Sequence, residues 1–425
     1  MGPRGLSWVG GALAALLLAA PARAATLEVA AVPGALAQAL QGAKAGDTLV
    51  LASGRHQGPV TVGKPVELKG LPGAVIEGDG SGSVIHVAAR GVALRGLTIR
   101  KSGSQVTNYD GAVFVEQGAD GFVAEGNVLE ENLFGIVLHG ANGARVHGNS
   151  ITGRTDVYET DRGNSIHMWN VKKTEITGNR LRGGRDGIFV DVSHGNLIQG
   201  NDIRGVRFAV HYMNSNEGRV YDNVSVGNKL GFALMYSNRL DIERNLSIED
   251  DDHGLMLHSA HHSKLIGNVI QRGKGERCLF VYASSNAQIR DNRVEGCDIG
   301  LHFTGGSEKG SISGNAFVNN RTQVKYTGMI AYEWSADGRG NYWSDNSAFD
   351  LNGDGMADTA YRPNSIMDRL VWRYPLAKLL LSSPLMEALR VAQSQFPALM
   401  PGGIVDSHPL MAAPANPLTA EKAGT

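Results

Sequence analysis

Residues 176–197, 198–219 and 220–241 read ITGNRLRGGRDGIFVDVSHGNL, IQGNDIRGVRFAVHYMNSNEGR and VYDNVSVGNKLGFALMYSNRLD. Laid one above another they repeat every 22 residues without a gap. Each line has an aliphatic residue three positions before an Asn, and two apolar or aromatic residues nine and eleven positions after it. Working outward, the same Asn recurs at 127, 149, 179, 201, 223, 245, 268, 292 and 315, with steps of 22, 30, 22, 22, 22, 23, 24 and 23. A fixed period of this length marks a stacked repeat. Gly precedes most of these Asn residues, and both types tolerate left-handed backbone angles, so the pair is expected to turn the chain between short strands.

The columns between the corners define the interior. One reads Ile136, Ile166, Ile188, Val210, Phe232, Leu255, Leu279, Leu301, and two residues on the next reads Leu138, Met168, Val190, Tyr212, Leu234, Leu257, Val281, Phe303. A spacing of two with one apolar face is that of a half-buried strand. A third ladder runs Val146, Ile176, Ile198, Val220, Ile242, Leu265, Ile289, Ile312. Several stacked strands per turn predict an all-β fold, a right-handed parallel β-helix of ~22-residue coils, roughly 13 in number and about 60 Å long. The absence of a 3.6-residue period between strands argues against TIM-barrel and Rossmann folds.

Upstream, Leu36 to Gln41 is expected to form a helical turn over the first coil, with strands at Thr48–Leu51, Val66–Leu68, Ala74–Ile76, Val84–Val87 and Leu94–Ile99. The single 30-residue step implies an eight-residue insertion near Arg154 to Arg162. The expected organisation is a leader over 1–24, the β-helix with its N-terminal cap over 25–348, a partly helical cap and docking extension over 349–411, and a flexible tail over 412–425.

Composition narrows the function classes. Of 425 residues 56 are Gly, and all 27 Asn but Asn416 lie between Asn108 and Asn364. With 19% charged residues and a formal charge of -1, no basic face for nucleic acid is indicated. Arg4, the apolar run Gly10 to Ala20 and Ala22-Arg23-Ala24 read as a Sec-type secretory signal cleaved after Ala24. Losing Arg4 and Arg23 takes the charge from -1 to -3. The product is therefore expected in the periplasm, where Cys278 and Cys297 either pair or remain two buried thiols.

Two columns expected to face outward carry the chemistry. The first is Val137, His167, Phe189, His211, Ala233, Met256, Phe280, His302; the second is His139, Trp169, Asp191, Met213, Met235, His258, Tyr282, Thr304. Their 16 positions hold five of the 13 His, against about 0.5 by random placement. Stacked coils place Met213, Met235 and His258 about 5 Å apart in one column. Thioether and imidazole suit Cu(I) over magnesium, calcium or manganese. The candidate copper ligands are thus Met213, Met235 and His258, with Met256, His211 and His167 close by. A covered surface or protein interface explains the same residues without a metal, and a sugar-binding groove is a third option. Asp250, Asp251, Asp252, His253, His261 and His262 crowd the neighbouring turns as candidates for admitting cations. Asp350, Asn352, Asp354 and Asp358 match the opening of a calcium loop, with Gly355 at the sharp turn and Tyr361 where the bidentate acid belongs. Any Ca2+ there would be structural.

Residues 162–170 (RGNSIHMWN), 210–213 (VHYM), 233–237 (ALMYS), 340–345 (GNYWSD) with the Asp350 loop, and 368–375 (DRLVWRYP) resemble the NosD family. These are periplasmic β-helix partners of an ABC transporter that matures nitrous oxide reductase, a system to which sulfur supply has also been attached. The resemblance spans nearly the whole mature chain. It implies a non-enzymatic maturation factor, attached peripherally to the inner membrane through the transporter permease and its ATPase. It further implies that copper is taken from a donor lipoprotein and passed toward the copper-sulfide site of nitrous oxide reductase. ATP hydrolysis belongs to the transporter, since this chain has no Walker A loop. The rival reading is a polysaccharide (uronate) C5-epimerase or lyase, with His167, Asp191 and His211 as acid and base. Against it stand the missing Asp-Pro-His-Asp signature and the expected lack of an Arg/Lys cluster on the face. An adhesive or structural β-helix would not explain soft ligands gathered in two columns.

Overall fold

The computed structural model describes residues 24–328, 330–380, 382–395 and 402–416. The expected leader lies outside the described residues apart from Ala24, as does the tail from 417 onward. Within them the chain winds into a parallel solenoid with three sheets of 13, 12 and 13 strands. Each strand pairs in parallel with the equivalent strand one coil on, as where Arg180–Arg182 meets Asp202–Arg204 and then Val224–Val226. At ~4.8 Å between strands, 13 rungs make a rod of about 60 Å. Both inward columns are buried along their length, from Ile136 to Leu301 and from Leu138 to Phe303.

The corner after the first sheet corrects the expected role of Asn. The left-handed residue is the one before it: Gly178 (φ 63), Gly200 (φ 65), Asp222 (φ 57) and Arg244 (φ 51). The Asn itself points inward and is fully buried at 179, 201, 223 and 245. Its Oδ1 accepts the backbone N–H and the side-chain amide of the preceding coil's Asn. Thus Asn201 N and Nδ2 reach Asn223 Oδ1 at 3.0 and 2.9 Å. The ladder continues unbroken from Asn127 to Asn341. A tight two-residue corner leaves backbone groups that no sheet partner reaches, and a stacked carboxamide supplies both donor and acceptor for them.

Local detail departs from expectation once more. The run Leu94–Ile99 is two strands, Ala93–Arg95 and Thr98–Arg100, because Gly96 takes φ 62 and turns the chain between sheets. Helix α1 (Ala35–Gly42) buries Leu36 and Leu40 over the first coil, covering an edge that would otherwise offer unpaired backbone groups. Cys278 and Cys297 form a disulfide between adjacent coils.

The last rung is Tyr342–Trp343, whose indole stacks on Phe317 at 4.6 Å. Beyond it, Gly403–Val405 returns to pair with Ala331–Glu333. Helix α2 (Ile366–Arg373) starts from a capping box in which Ser365 and Asp368 exchange hydrogen bonds. Helix α3 (Pro384–Gln395) begins at a proline, which has no N–H to leave unpaired.

Candidate functional site

The candidate ligands sit at the C-terminal ends of the third strand in successive coils. Phe208–Met213, Leu230–Met235 and His253–His258 lie side by side, and the register pairs Met213 with Met235 and Met235 with His258. The next strand places Tyr282 on the same row, and Asp191 precedes Met213. The parallel row runs Phe189, His211, Ala233, Met256, Phe280, His302. Met213, Met235, Met256 and His258 are each half-buried.

Their placement depends on a second internal ladder that sequence reading did not isolate. Directly after each ligand the chain takes a left-handed residue, Asn214, Tyr236 or Ser259. At the first two corners a buried Ser follows: Ser215 donates to the Met213 carbonyl and Ser237 to the Met235 carbonyl, both at 2.7 Å. Ser215 N in turn donates to Ser237 Oγ at 3.0 Å. The backbone carrying the thioethers is thereby pinned, while the side chains keep their freedom. The His258 ring lies between Tyr236 at 5.0 Å and Tyr282 at 4.9 Å. Among the described residues no protein group hydrogen-bonds that ring.

His167 and His211, expected on an open face, are buried instead. The chain from Lys101 to Asp110, with a short 3-10 turn at Val106–Asn108, folds over them, and Tyr109 packs on His167 at 4.9 Å. His167 Nδ1 hydrogen-bonds the Asn164 amide at 3.0 Å. Burial, seconded by His139, pushes its pKa down to about 4, so the imidazole is neutral. His211 Nδ1 meets Asp186 Oδ2 at 3.0 Å, and Arg207 grips the same carboxylate with two bonds of 2.8 and 2.7 Å. Burial works against ionisation of Asp186, but these partners more than offset it and hold the carboxyl below its ordinary range. His211 Nε2 has no partner.

Around this pair lies a cavity of about 450 Å³ walled by Arg162, Arg185, Arg207, Phe134, Phe189 and Met213 among others. The expectation of a face without an arginine cluster is therefore corrected. Arg185 and Arg207 are 22 residues apart and Asn164 and Asp186 also 22, so the signal was in the repeat. It was passed over because these residues precede the strand and do not belong to its alternation. The insertion at Arg154 to Arg162 folds back beside the cavity, with Arg154 bound to Ser104 Oγ at 2.8 Å.

Among the described residues, no three His, Cys, Asp or Glu side chains come together as a metal site. The acidic turn expected to admit cations is ordered otherwise. Asp250 is buried, accepting from Ser225, Ser247 and Asn228 N. In the Asp350 loop, Asp350 accepts the Gly353 and Gly355 N–H groups, Asp354 the Met356 N–H and Asp358 the Leu351 N–H. Those carboxylates close the loop on itself, while Asn352 donates to Asp354.

Asp250 carries a testable pH dependence. Burial pushes its pKa up from 3.8 to about 6. The folded state therefore holds a proton that the unfolded state has already released, and stability falls as pH rises from about 4 to about 6. Above that window the fold carries an ionised buried carboxylate. Asp250→Asn keeps an acceptor for Asn228 N and gains a donor for Ser247. It is expected to stabilise the chain by up to about 3 kcal/mol at pH 7.5 and by nothing below pH 4. Urea melts at the two pH values read this directly; an equal difference at both would refute the assignment.

Fold and face together define a class: a parallel β-solenoid that holds its chemistry on one sheet as a binding scaffold. A family model described as "Periplasmic copper-binding protein (NosD)" matches residues 148–348. The "Probable ABC transporter binding protein NosD" of Stutzerimonas stutzeri is 41% identical over 385 residues, 88% of each chain. That of Pseudomonas aeruginosa is 39% identical, over 86% of this chain and 88% of its own. The chain belongs to the NosD family and is a periplasmic protein. Among solved structures, the A-module of the Azotobacter vinelandii mannuronan C-5 epimerase AlgE6 superposes with a TM-score of 0.54 at 14% identity, covering 69% of this chain and 90% of that one. The Streptococcus pneumoniae adhesin PfbA gives 0.56 at 13%, over 69% and 94%. These two share the fold alone.

Proposed function

We propose that the chain is a non-enzymatic copper-handling factor working with an ABC transporter in the maturation of nitrous oxide reductase. One observation carries this reading: Met213, Met235 and His258 are consecutive register partners, half-buried, with the backbone at Met213 and Met235 fixed by Ser215 and Ser237. Adjacent rungs ~4.8 Å apart let flexible thioethers converge on one ion. Two sulfurs and one imidazole make a soft, low-coordinate set suited to Cu(I). Such a set binds firmly enough to hold cargo and leaves positions open for an incoming ligand. Copper is then received from a donor lipoprotein and handed on by ligand exchange toward nitrous oxide reductase. Met256 lies on the neighbouring row as an alternate ligand. His211 and His167 are more remote alternates, since Asp186 and Asn164 occupy one nitrogen of each.

The relatives' printed names, which describe binding proteins of ABC transporters, support the same reading. So does the C-terminal extension. Leu376, Leu379 and Leu385 are 81%, 81% and 68% exposed, an apolar surface suited to docking on the membrane permease, whose ATPase supplies the energy. No helix among the described residues is long and apolar enough to cross a membrane. The Asp350 loop is proposed as a structural calcium loop only, with Asp350, Asn352, Asp354 and Asp358 as its oxygen donors.

The test is a Cu(I) titration against a competing chelator, comparing wild type with Met213→Ala/Met235→Ala/His258→Ala. The triple variant is expected to bind at least about 100-fold more weakly, since it removes every first-choice ligand, with an unchanged melting temperature. Equal affinities would remove the site assignment. Turnover of a uronate polymer by the purified protein would instead favour the epimerase or lyase reading, which the arginine-walled cavity keeps in view.

A further inference from the structure

We infer that the cavity under the Lys101–Asp110 segment is a binding site for a small oxyanion-bearing ligand, gripped by Arg185. The charged groups on its wall are three guanidinium groups, Arg162, Arg185 and Arg207, and one carboxylate, Asp186. Three guanidinium groups against one carboxylate leave a net excess of two positive charges. Part of that charge is already committed. Arg207 is spent on Asp186 through its Nε and one terminal nitrogen. Arg162 donates to the Val157 and Thr155 carbonyls.

Arg185 is different. It is half-buried at the cavity wall, and among the described residues its guanidinium has neither an ion-pair nor a hydrogen-bond partner. A charged fork held in a low-dielectric recess without a counter-ion is costly, and its planar donors match a carboxylate, phosphate or sulfate group. The second, independent sign is His211. Its side chain is only 7% exposed, Asp186 fixes its Nδ1, and its Nε2 is buried without a partner. Buried polar atoms in native proteins are nearly always satisfied, so an orphan beside a cavity points to a ligand or an ordered water. The arginine–carboxylate–imidazole chain of Arg207, Asp186 and His211 sets the ring's orientation before any ligand arrives.

The volume of about 450 Å³ exceeds what one inorganic ion fills. Phe134, Phe189 and Tyr109 supply flat apolar walls. The geometry suits a ligand with an anionic head and a compact apolar or ring-shaped body. A free inorganic oxyanion shares the head-group chemistry and serves as a probe of it. The cavity shares Met213, His211 and His167 with the copper reading but neither Met235 nor His258, and Arg185 belongs to this site alone.

Isothermal titration of the full mature protein with inorganic phosphate, sulfate and benzoate tests it. At least one probe is expected to bind wild type, and Arg185→Gln to weaken that binding at least tenfold. Arg185→Lys, which keeps the charge and loses the fork, is expected to fall between. Because Arg185 has no internal partner, neither variant is expected to melt below wild type, which separates lost binding from lost folding. Benzoate binding alone identifies an organic acid as the ligand class, and phosphate or sulfate binding alone a free inorganic anion; either supports the site. No binding of any probe at 10 mM (about 100 times a Kd of 0.1 mM), or equal binding by wild type and Arg185→Gln, overturns it.

Discussion

Asn223→Ala is expected to cost about 4 kcal/mol of unfolding free energy, a large share of the stability of any domain. The Asn223 side chain accepts two bonds from Asn201, through its backbone N and Nδ2, at 3.0 and 2.9 Å. It donates two more, to Asn245 Oδ1 at 3.0 Å and to the Ile198 carbonyl at 2.9 Å. Truncation leaves the Asn201 N–H buried and unpaired, at about 1–3 kcal/mol, takes from the Ile198 carbonyl the second of its two donors, and removes the remaining side-chain bonds at about 1 kcal/mol each. Asn201 Nδ2 keeps its bond to Ile176 and loses half its partners. A leucine of similar size does no better, because the penalty comes from orphaned backbone groups and not from volume. In a solenoid each coil contacts only its neighbours, so the damage stays local. Urea melts are expected to show the loss, and hydrogen exchange to accelerate most in the strands next to residues 201, 223 and 245. A loss below about 1 kcal/mol would mean that water replaces the carboxamide, and that the ladder aligns coils without holding them.

The same ladder shows how the sequence was legible and where it was not. The inward columns could be read from alternation alone, because burying one face of a strand constrains every second residue. The candidate ligands Met213, Met235 and His258 were found for the same reason: they lie on that alternation, one residue beyond the buried Tyr212, Leu234 and Leu257. The Asn was assigned the wrong task, although its recurrence was the clearest signal in the chain. Asn suits a left-handed corner and also a buried stack, and both give the same 22-residue period. Only the backbone angles distinguish them. Arg185, Asp186 and Arg207 escaped because they lie in the turn before the strand, where no face rule applies. Covering of His167 and His211 by the segment from Lys101 to Asp110 was invisible for a further reason. Contacts between a loop and strands two and four coils away leave no periodic trace.

Asp406→Ala is expected to release the C-terminal segment from the end of the solenoid while the coils stay folded. Asp406 Oδ2 accepts from Asn341 N at 2.7 Å, Asn341 Nδ2 at 3.2 Å and Trp343 Nε1 at 2.8 Å. Its Oδ1 accepts the His408 N–H at 3.1 Å. It thus closes an Asn ladder that began at Asn127, from a position 65 residues beyond the ladder's last member. Burial pushes its carboxyl up, against the pull of these donors. A Cβ on Gly340 would collide with the same carboxylate, so that corner is built around it. Alanine strands the Asn341 N–H and the Trp343 indole N–H, for a loss of about 3–5 kcal/mol. The other ties of this segment all fall at this end: a three-residue strand pair at Ala331–Glu333, bridges through Tyr342, Met356 and Tyr361, and bonds from Ser407 to Glu333. The loss is therefore expected to appear as sub-global opening, not as global melting. Trp334 and Trp343, 0% and 1% exposed, would then meet water and red-shift the tryptophan emission. Far-UV circular dichroism should hardly change, and limited proteolysis should cut within residues 402–416. Asp406→Asn keeps an acceptor for Asn341 but turns an amide against one of the other donors, so an intermediate effect is expected. Unshifted emission in Asp406→Ala would show that the aromatic stack of Phe317, Trp334 and Trp343 holds the end closed by itself. A red shift with intact coils would place the hinge of the docking extension at a single carboxylate, several rungs from Met213, Met235 and His258. The proposed cargo binding and the proposed partner docking are then separable by mutation in one chain.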